Sequence, residues 1–284
     1  MRIETEIVGQ VVLCWAVATP PELKALRALR MLNHRVCSLP FAVYSNQKRT
    51  QWVVCTGVGQ LNMAMGVGYL SAMMSVDDTV VWANVGIAGA QSKAIGSAWA
   101  VHQVECDLTG RRFHPGLIPI RGLASAVCRT VNEVERTYPR DVLYDMEAAG
   151  FFQALRKLTH VDAFGILKVV SDNREQHVDS LTAKTMTQLI LDAESSMVTV
   201  SNQLLEIAEE SRRRTEAPTD FAAAVDVHPF SVSETIRLKK LLRRWSILKP
   251  TEDLMTLLND YPRSSVLNAI EAVLDDTPIE VSHD

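Results

Sequence analysis

Long apolar runs, an excess of positive charge and paired cysteines are all missing from this 284-residue chain. No apolar stretch reaches the ~18 residues that a membrane-spanning helix requires, which argues against a helical membrane protein. The balance of 29 basic against 33 acidic residues leaves a net charge of −4, so nucleic-acid binding through overall charge is not expected. Five cysteines, Cys14, Cys37, Cys55, Cys106 and Cys128, stand singly, with no Cys-x-x-Cys pair. That pattern speaks against a disulfide framework or a zinc site and for a reducing compartment, the cytoplasm. The seven histidines show no spacing suited to coordination, so neither a metal nor another cofactor is expected. A basic leader is lacking too. Arg2, Glu4 and Glu6 precede the apolar run Val11–Ala18, which therefore reads as a buried first strand rather than a signal peptide. No internal repeat is visible.

What is present is a composition with 47% hydrophobic residues, enough to fill a sizeable core. Strands are expected at Val11–Ala18, Trp52–Cys55, Thr79–Ala83, Ala98–Val104 and Ala163–Val170. Helical patterns lie between and after them, at Pro21–Met31, Gln60–Met74, Asp145–Leu158 and Ser180–Glu210. This alternation predicts an α/β domain, and strands apolar on both faces predict helices on both sides of the sheet. The composition shifts near Ser211, where three arginines, Pro218 and small polar residues read as a linker. The expected division is an α/β domain over 1–211, a linker over 212–230 and a helical appendage over 231–284. In the appendage, Ser233 is a candidate helix cap ahead of an apolar stripe of Leu238, Leu241, Leu242 and Trp245. Arg237, Lys239, Lys240, Arg243 and Arg244 form its basic face, which is either solvated or a docking surface. His228-Pro229-Phe230 reads as a loop anchor. Short helices are expected at Glu252–Asn259 and Ser265–Leu274.

Four local features bear on chemistry. Thr56-Gly57-Val58-Gly59 follows a strand and opens a helix, a tight turn or a site where backbone amides meet a ligand. Asn84-Val85-Gly86-Ile87-Ala88-Gly89-Ala90 follows a strand as well, as a turn or as room left for a ligand at the sheet crevice. In Asp145-Met146-Glu147, Asp145 suits a helix N-cap and Glu147 its first turn, so structure or function explains both acids. Finally, Lys168-Val169-Val170-Ser171-Asp172 ends an apolar strand on a carboxylate, a placement that favours function.

In order and spacing these four features resemble the nucleoside phosphorylase and nucleosidase superfamily, which includes methylthioadenosine/adenosylhomocysteine nucleosidase and futalosine hydrolase. The resemblance spans about residues 11–210, and its most specific parts are Met146-Glu147-Ala148-Ala149 and Ser171-Asp172. It implies a three-layer core with a central mixed sheet flanked by helices, to which the helical appendage is foreign. It implies that Glu147 binds the ribose hydroxyls, as a carboxylate can through charge-assisted bonds, and that Met146 packs on the sugar. Asp172 would protonate the leaving purine, with Ser171 orienting it. Glu22, in Thr19-Pro20-Pro21-Glu22, would align and activate water; its alternative is a plain first-turn acid. Gly57, Gly59, Gly86 and Ile87 would line the site, and Val127 and Cys128 would wall the base where relatives use an aromatic. Phe113 either stacks on the base from a neighbouring loop or is an ordinary loop hydrophobe.

Hydrolysis is expected over phosphorolysis, because the glycine loops contain no arginine or lysine and Ile87 stands where relatives carry a hydroxyl. The implied activity is cleavage of the N-glycosidic bond of a purine-type nucleoside. The alternatives are a phosphate-dependent phosphorylase and an inactive nucleoside-binding protein. The implied partners are a small-molecule nucleoside and further copies of the chain, with Met63, Val67, Leu70 and Met74 as candidate contacts or as core. Departures from the family pattern are Lys168, where arginine is common, and Asn173 and Arg174, which replace a small residue and an acid.

Overall fold

Successive residues of the first strand point to opposite faces, and both faces are covered. Val12, Cys14 and Ala16 pack into one apolar cluster, Leu13, Trp15 and Val17 into another. This strand is β1, Val11–Val17. In the computed structural model, which describes residues 9–75, 78–116, 120–215, 218, 220–249 and 254–278, the chain divides into two compact units, 1–213 and 214–284.

In the first unit β1 is followed by α1 (Pro20–Arg30), β2 (His34–Cys37), β3 (Ala42–Ser45), β4 (Gln51–Cys55), α2 (Gln60–Ser71) and β5 (Thr79–Ala90). Then come β6 (Ala98–Cys106), β7 (Arg112–Phe113), β8 (Ser125–Thr130), β9 (Leu143–Asp145), α3 (Ala148–Leu155), β10 (Phe164–Asp172), α4 (Ala183–Asp192) and α5 (Glu194–Thr215). The strands form one mixed sheet in the order β10-β6-β8-β9-β5-β1-β4-β3-β2, with β7 on β6. Met63, Val67 and Leu70 of α2 cover one face together with Phe151, Phe152 and Leu155 of α3. Leu23 and Leu26 of α1, Ile190 of α4 and Met197, Val200 and Leu204 of α5 cover the other. The three-layer α/β core is therefore present as expected.

The edges of β5 decide where a site can form. Its first half pairs with β1 through Ala16↔Asn84, and β9 takes over on Gly89 and Ala90, while β10 runs along it from Trp82 to Gly89. Because β10 also pairs with β6, and β6 connects through β8 to β9, these strands close on themselves. The stretch Val85–Ala88 thus has β10 on one edge and no strand on the other. This corrects the sequence reading, which ended the strand at Ala83: the ladder to β10 holds the glycine-containing segment extended, whatever its side chains prefer.

Other differences have local causes. Five short strands, β2, β3, β7, β8 and β9, carry too few residues for alternation to stand out. The expected helix from Asp145 begins at Ala148 with Glu147 as its N-cap, since Asp145 still belongs to β9. The pattern from Ser180 to Glu210 breaks between α4 and α5 at Ala193.

In the second unit, α6 (Phe221–Val227), α7 (Val232–Leu248), α8 (Leu254–Asp260) and α9 (Arg263–Asp275) surround a separate core. The stripe Leu238, Leu241, Leu242 and Trp245 is buried there with Leu258, Val266 and Ile270. Within 212–230, the stretch that the sequence reads as a linker, the described residues include the end of α5 and all of α6. Ser231, not Ser233, caps α7: its amide donates to Glu234 at 2.7 Å and its hydroxyl accepts from the Glu234 amide at 3.4 Å. His228 Nε2 lies 2.9 Å from the Leu258 carbonyl, an anchor as expected. Arg237 and Arg244 pair with Glu271 and Asp275, and Lys239 lies 4.5 Å from the Phe221 ring centre, so much of the basic face is occupied within the unit.

Candidate active site

Strands β1, β5 and β10 run parallel, so their carboxyl ends meet at one side of the sheet, where ligands bind in open α/β folds. A cavity of about 240 Å³ opens there. It is lined by Ala18 and Thr19 after β1, Glu22 of α1, Ile87–Gly89 of β5, Asp145–Glu147 between β9 and α3, and Ser171 and Asp172 of β10. Val58, Val131, Val134, Glu135, Tyr144, Val178, Leu181 and Met186 complete it.

The unpaired edge of β5 receives Glu22. The Ile87 amide donates to Glu22 Oε1 at 3.0 Å, and the amides of Ala18 and Thr19 donate to Oε2 at 2.9 and 2.8 Å. In the last of these the Glu22 side chain reaches back to the amide of Thr19, the N-cap of α1, so Glu22 secures the start of the helix while reaching the cavity. Gly86 makes the approach possible: a Cβ there would lie 2.9 Å from Glu22 Oε1 and 3.5 Å from Lys168 Nζ.

Lys168 is the buried cation of the site. Its ammonium lies 2.8 Å from Asp145 Oδ2, and both side chains are almost wholly withdrawn from water. Asp145 also accepts from the Ala148 amide at 2.7 Å and from the Thr130 hydroxyl at 2.7 Å. Burial by itself would raise the Asp145 pKa, but Lys168 and these donors outweigh it and hold the carboxyl below its ordinary range. Burial works against the lysine's charge as well; Asp145 and Glu147 reverse that and push it up. The pair is ionised and neutral as a unit.

Glu147 has no such cation of its own. Its Oε1 accepts from the Gly59 amide at 2.8 Å. Burial, aided by the charge of Asp145, pushes its pKa up to about 7. Asp172 at the end of β10 accepts from the Ser171 hydroxyl on Oδ1 and from the Tyr138 hydroxyl on Oδ2. The Thr19 hydroxyl, buried and unpartnered among the described residues, lines the same cavity. The arrangement offers hydroxyl-rich ligands several acceptors, within a wall that is otherwise largely aliphatic.

Of the residues singled out in the sequence, Glu22, Ile87, Met146, Glu147, Ser171 and Asp172 come together on this cavity. Gly57 and Gly59 do not line it; Val58 between them does, and the Gly59 amide points to Glu147 rather than to open space. Gly86 lies behind Glu22. Val127 and Cys128 are corrected: Cys128 is fully buried in the sheet core, and Val127 packs beside Val131, Tyr138 and Tyr144. Val131, Val134 and Glu135, just beyond the end of β8, reach the cavity instead. Burial alternates along β8 at Ala126, Cys128 and Thr130, which puts the site past its carboxyl end. Ala126, Val127 and Cys128 are all apolar, however, so the sequence carries no alternation that would have shown it. Phe113 is also in the core, stacked on Phe152 at 4.9 Å between ring centres. A second cavity of about 360 Å³, lined by Ala100, His102, Ile120, Phe164 and Leu204 among others, contains none of the predicted site residues.

No family model and no curated protein matches the sequence. Solved structures match in fold. The 5′-methylthioadenosine/S-adenosylhomocysteine nucleosidase of Neisseria meningitidis, solved with methylthio-immucillin-A, is 16% identical over 68% of this chain and 98% of its own, with a TM-score of 0.51. The 5′-methylthioadenosine nucleosidase of Arabidopsis thaliana is 18% identical over 69% of this chain and 96% of its own, with a TM-score of 0.55. Futalosine hydrolase of Helicobacter pylori is 12% identical over 70% of this chain and 100% of its own, also with a TM-score of 0.55. The likeness takes in nearly all of each neighbour, so this chain shares the fold of these nucleosidases and of futalosine hydrolase.

Proposed function

We propose that the chain hydrolyses the N-glycosidic bond of a purine-type, 5′-modified nucleoside, releasing the free base and a ribose derivative. The observation that carries this reading is the convergence of Glu22, Glu147 and Asp172, from three distant parts of the sequence, on one cavity of about 240 Å³. Glu147 accepts the ribose hydroxyls and Met146 packs on the sugar. Glu22 keeps acceptor capacity beyond its three amide donors and aligns the attacking water. Asp172, oriented by Ser171, gives its proton to the leaving base as the C–N bond breaks and its electron pair passes to the base. Each group of this kind contributes ~10² to 10⁴ in rate, or roughly 3 to 5 kcal/mol of barrier.

Water is favoured over phosphate as the nucleophile. Five carboxylates line the cavity, and among its described lining residues there is no lysine, arginine or histidine to hold a multiply charged anion. The reading includes a homodimer or larger homo-oligomer. Met63, Val67 and Leu70 belong to the core, but Val58, which lines the cavity, and Leu61 and Met65 in the first turns of α2 are 48%, 72% and 49% exposed, an apolar row suited to a second copy. All five cysteines are free, which supports a reducing, cytoplasmic setting. That no helix among the described residues is long and apolar enough to cross a membrane is consistent with it.

The test is release of free base from adenosine, inosine, methylthioadenosine, adenosylhomocysteine, deoxyadenosine and futalosine, with phosphate absent and present. Release independent of phosphate is expected. A strict phosphate requirement makes the protein a phosphorylase. Tight binding with no release from mildly acidic to mildly basic pH makes it a nucleoside-binding protein.

A further inference from the structure

Asp172 is gripped from behind by a side chain that the proposed chemistry leaves unused. Tyr138 is fully buried and does not line the cavity, yet its hydroxyl donates to Asp172 Oδ2. Its backbone has φ 45°, a left-handed conformation that is unfavourable for a bulky residue. Two side chains hold it there. Arg174 donates from Nη2 to the Tyr138 carbonyl at 3.0 Å and from Nε to the Thr137 carbonyl at 3.3 Å, and Gln91 donates to the Tyr138 carbonyl at 3.1 Å. Gly89 opens the slot for the ring, since a Cβ there would lie 2.6 Å from both Asp172 Oδ2 and Tyr138 Cε1.

A buried phenol needs an acceptor, but a loop carbonyl would serve. Here an unfavourable backbone conformation, an arginine two residues beyond Asp172 and a glycine without room for a methyl all hold Tyr138, whose hydroxyl meets one carboxylate oxygen. We propose that Tyr138, clamped by Arg174 and Gln91, is a positioning residue that fixes the carboxylate plane of Asp172 towards the leaving base. The inference rests on the nucleosidase reading. With Ser171 on one oxygen and Tyr138 on the other, each oxygen keeps one lone-pair direction, and the carboxyl group cannot rotate without breaking a hydrogen bond. Tyr138 itself keeps its proton. Burial, and then the hydrogen bond to Asp172, push its pKa well above the ordinary tyrosine range.

The experiment is Tyr138→Phe, which removes only the hydroxyl, assayed on a purine nucleoside and on 4-nitrophenyl riboside, whose nitrophenolate departs without an acid. On the nucleoside, kcat should fall about 10- to 100-fold with KM near the parental value. On the nitrophenyl riboside the loss should be far smaller, and Asp172→Asn should show the same selectivity. Arg174→Ala and Gln91→Ala should lower nucleoside kcat in the same direction and by less. Parental nucleoside turnover in Tyr138→Phe, an effect confined to KM, or equal loss on both substrates overturns the proposal. Failure of the underlying reading looks different: Asp172→Asn itself then releases base from nucleosides at the parental rate.

Discussion

Glu271 and Asp275 on α9 lie at the surface, each against an arginine of α7, whereas Glu22, Glu147 and Asp172 are no more than 7% exposed and are held by backbone amides and hydroxyls. In the helical unit the partner neutralises the acid and water solvates what is left. In the cavity, amides and hydroxyls rather than a cation hold the three acids in place, and the buried Lys168 bonds Asp145 instead. The first arrangement ties helices together at little cost. The second withdraws carboxyl groups from water without a counter-ion, which costs stability and leaves acceptors ready for a ligand.

The strongest way to break this contrast is Asp145→Asn. It leaves the Lys168 ammonium buried without its counter-charge, and unfolding in urea should show a loss of about 3–5 kcal/mol. The double variant Asp145→Asn, Lys168→Met should recover much of that loss; if it does not, the ion pair is not what Asp145 contributes.

A smaller effect should come from Glu147, with a pH signature. Its folded pKa of about 7 lies above the ordinary 4.5, so between these values the folded chain keeps a proton that the unfolded chain has lost. Stability contributed by this group is therefore present at low pH and falls as pH rises through the window. Glu147→Gln should gain on the order of 1–3 kcal/mol above pH ~7 and little below pH ~4.5. In the parent, nucleoside kcat/KM should decline below about pH 7, as the protonated carboxyl loses acceptor capacity. A flat denaturation profile across that range would remove the cavity's share of the contrast.

The smallest change belongs to the surface pairs. Arg237→Ala or Arg244→Ala should cost only ~0.2–1 kcal/mol, less at high salt, with base release unaffected. A loss of several kcal/mol in denaturant would show that these pairs do more than staple neighbouring helices.

Much of the core was legible because its signals are local. Val11–Val17 is apolar on both faces, and Met63, Val67 and Leu70 recur at helical spacing. Ser171-Asp172 stood out as a carboxylate that ends an apolar strand, and Met146-Glu147 through its resemblance to the nucleosidase motif. Val127 and Cys128 were misassigned because a strand as short as β8 shows neither its register nor where its end leads until β6 and β9 pair with it. Tyr138 carried no signal at all: a tyrosine before a proline in a polar loop looks like many others until Gly89 and Arg174 close around it.

The order of apolar and polar residues by itself determined that there would be a sheet covered on both faces and a separate helical unit, since burial periodicity is written into neighbouring residues. Which acids share a cavity, which one is neutralised and which hydroxyl aims Asp172 were decided only when β5 left one edge open between β1 and β9. Hydrogen-bond geometry and withdrawal from water depend on groups that the chain brings together from far apart, and no local pattern specifies them.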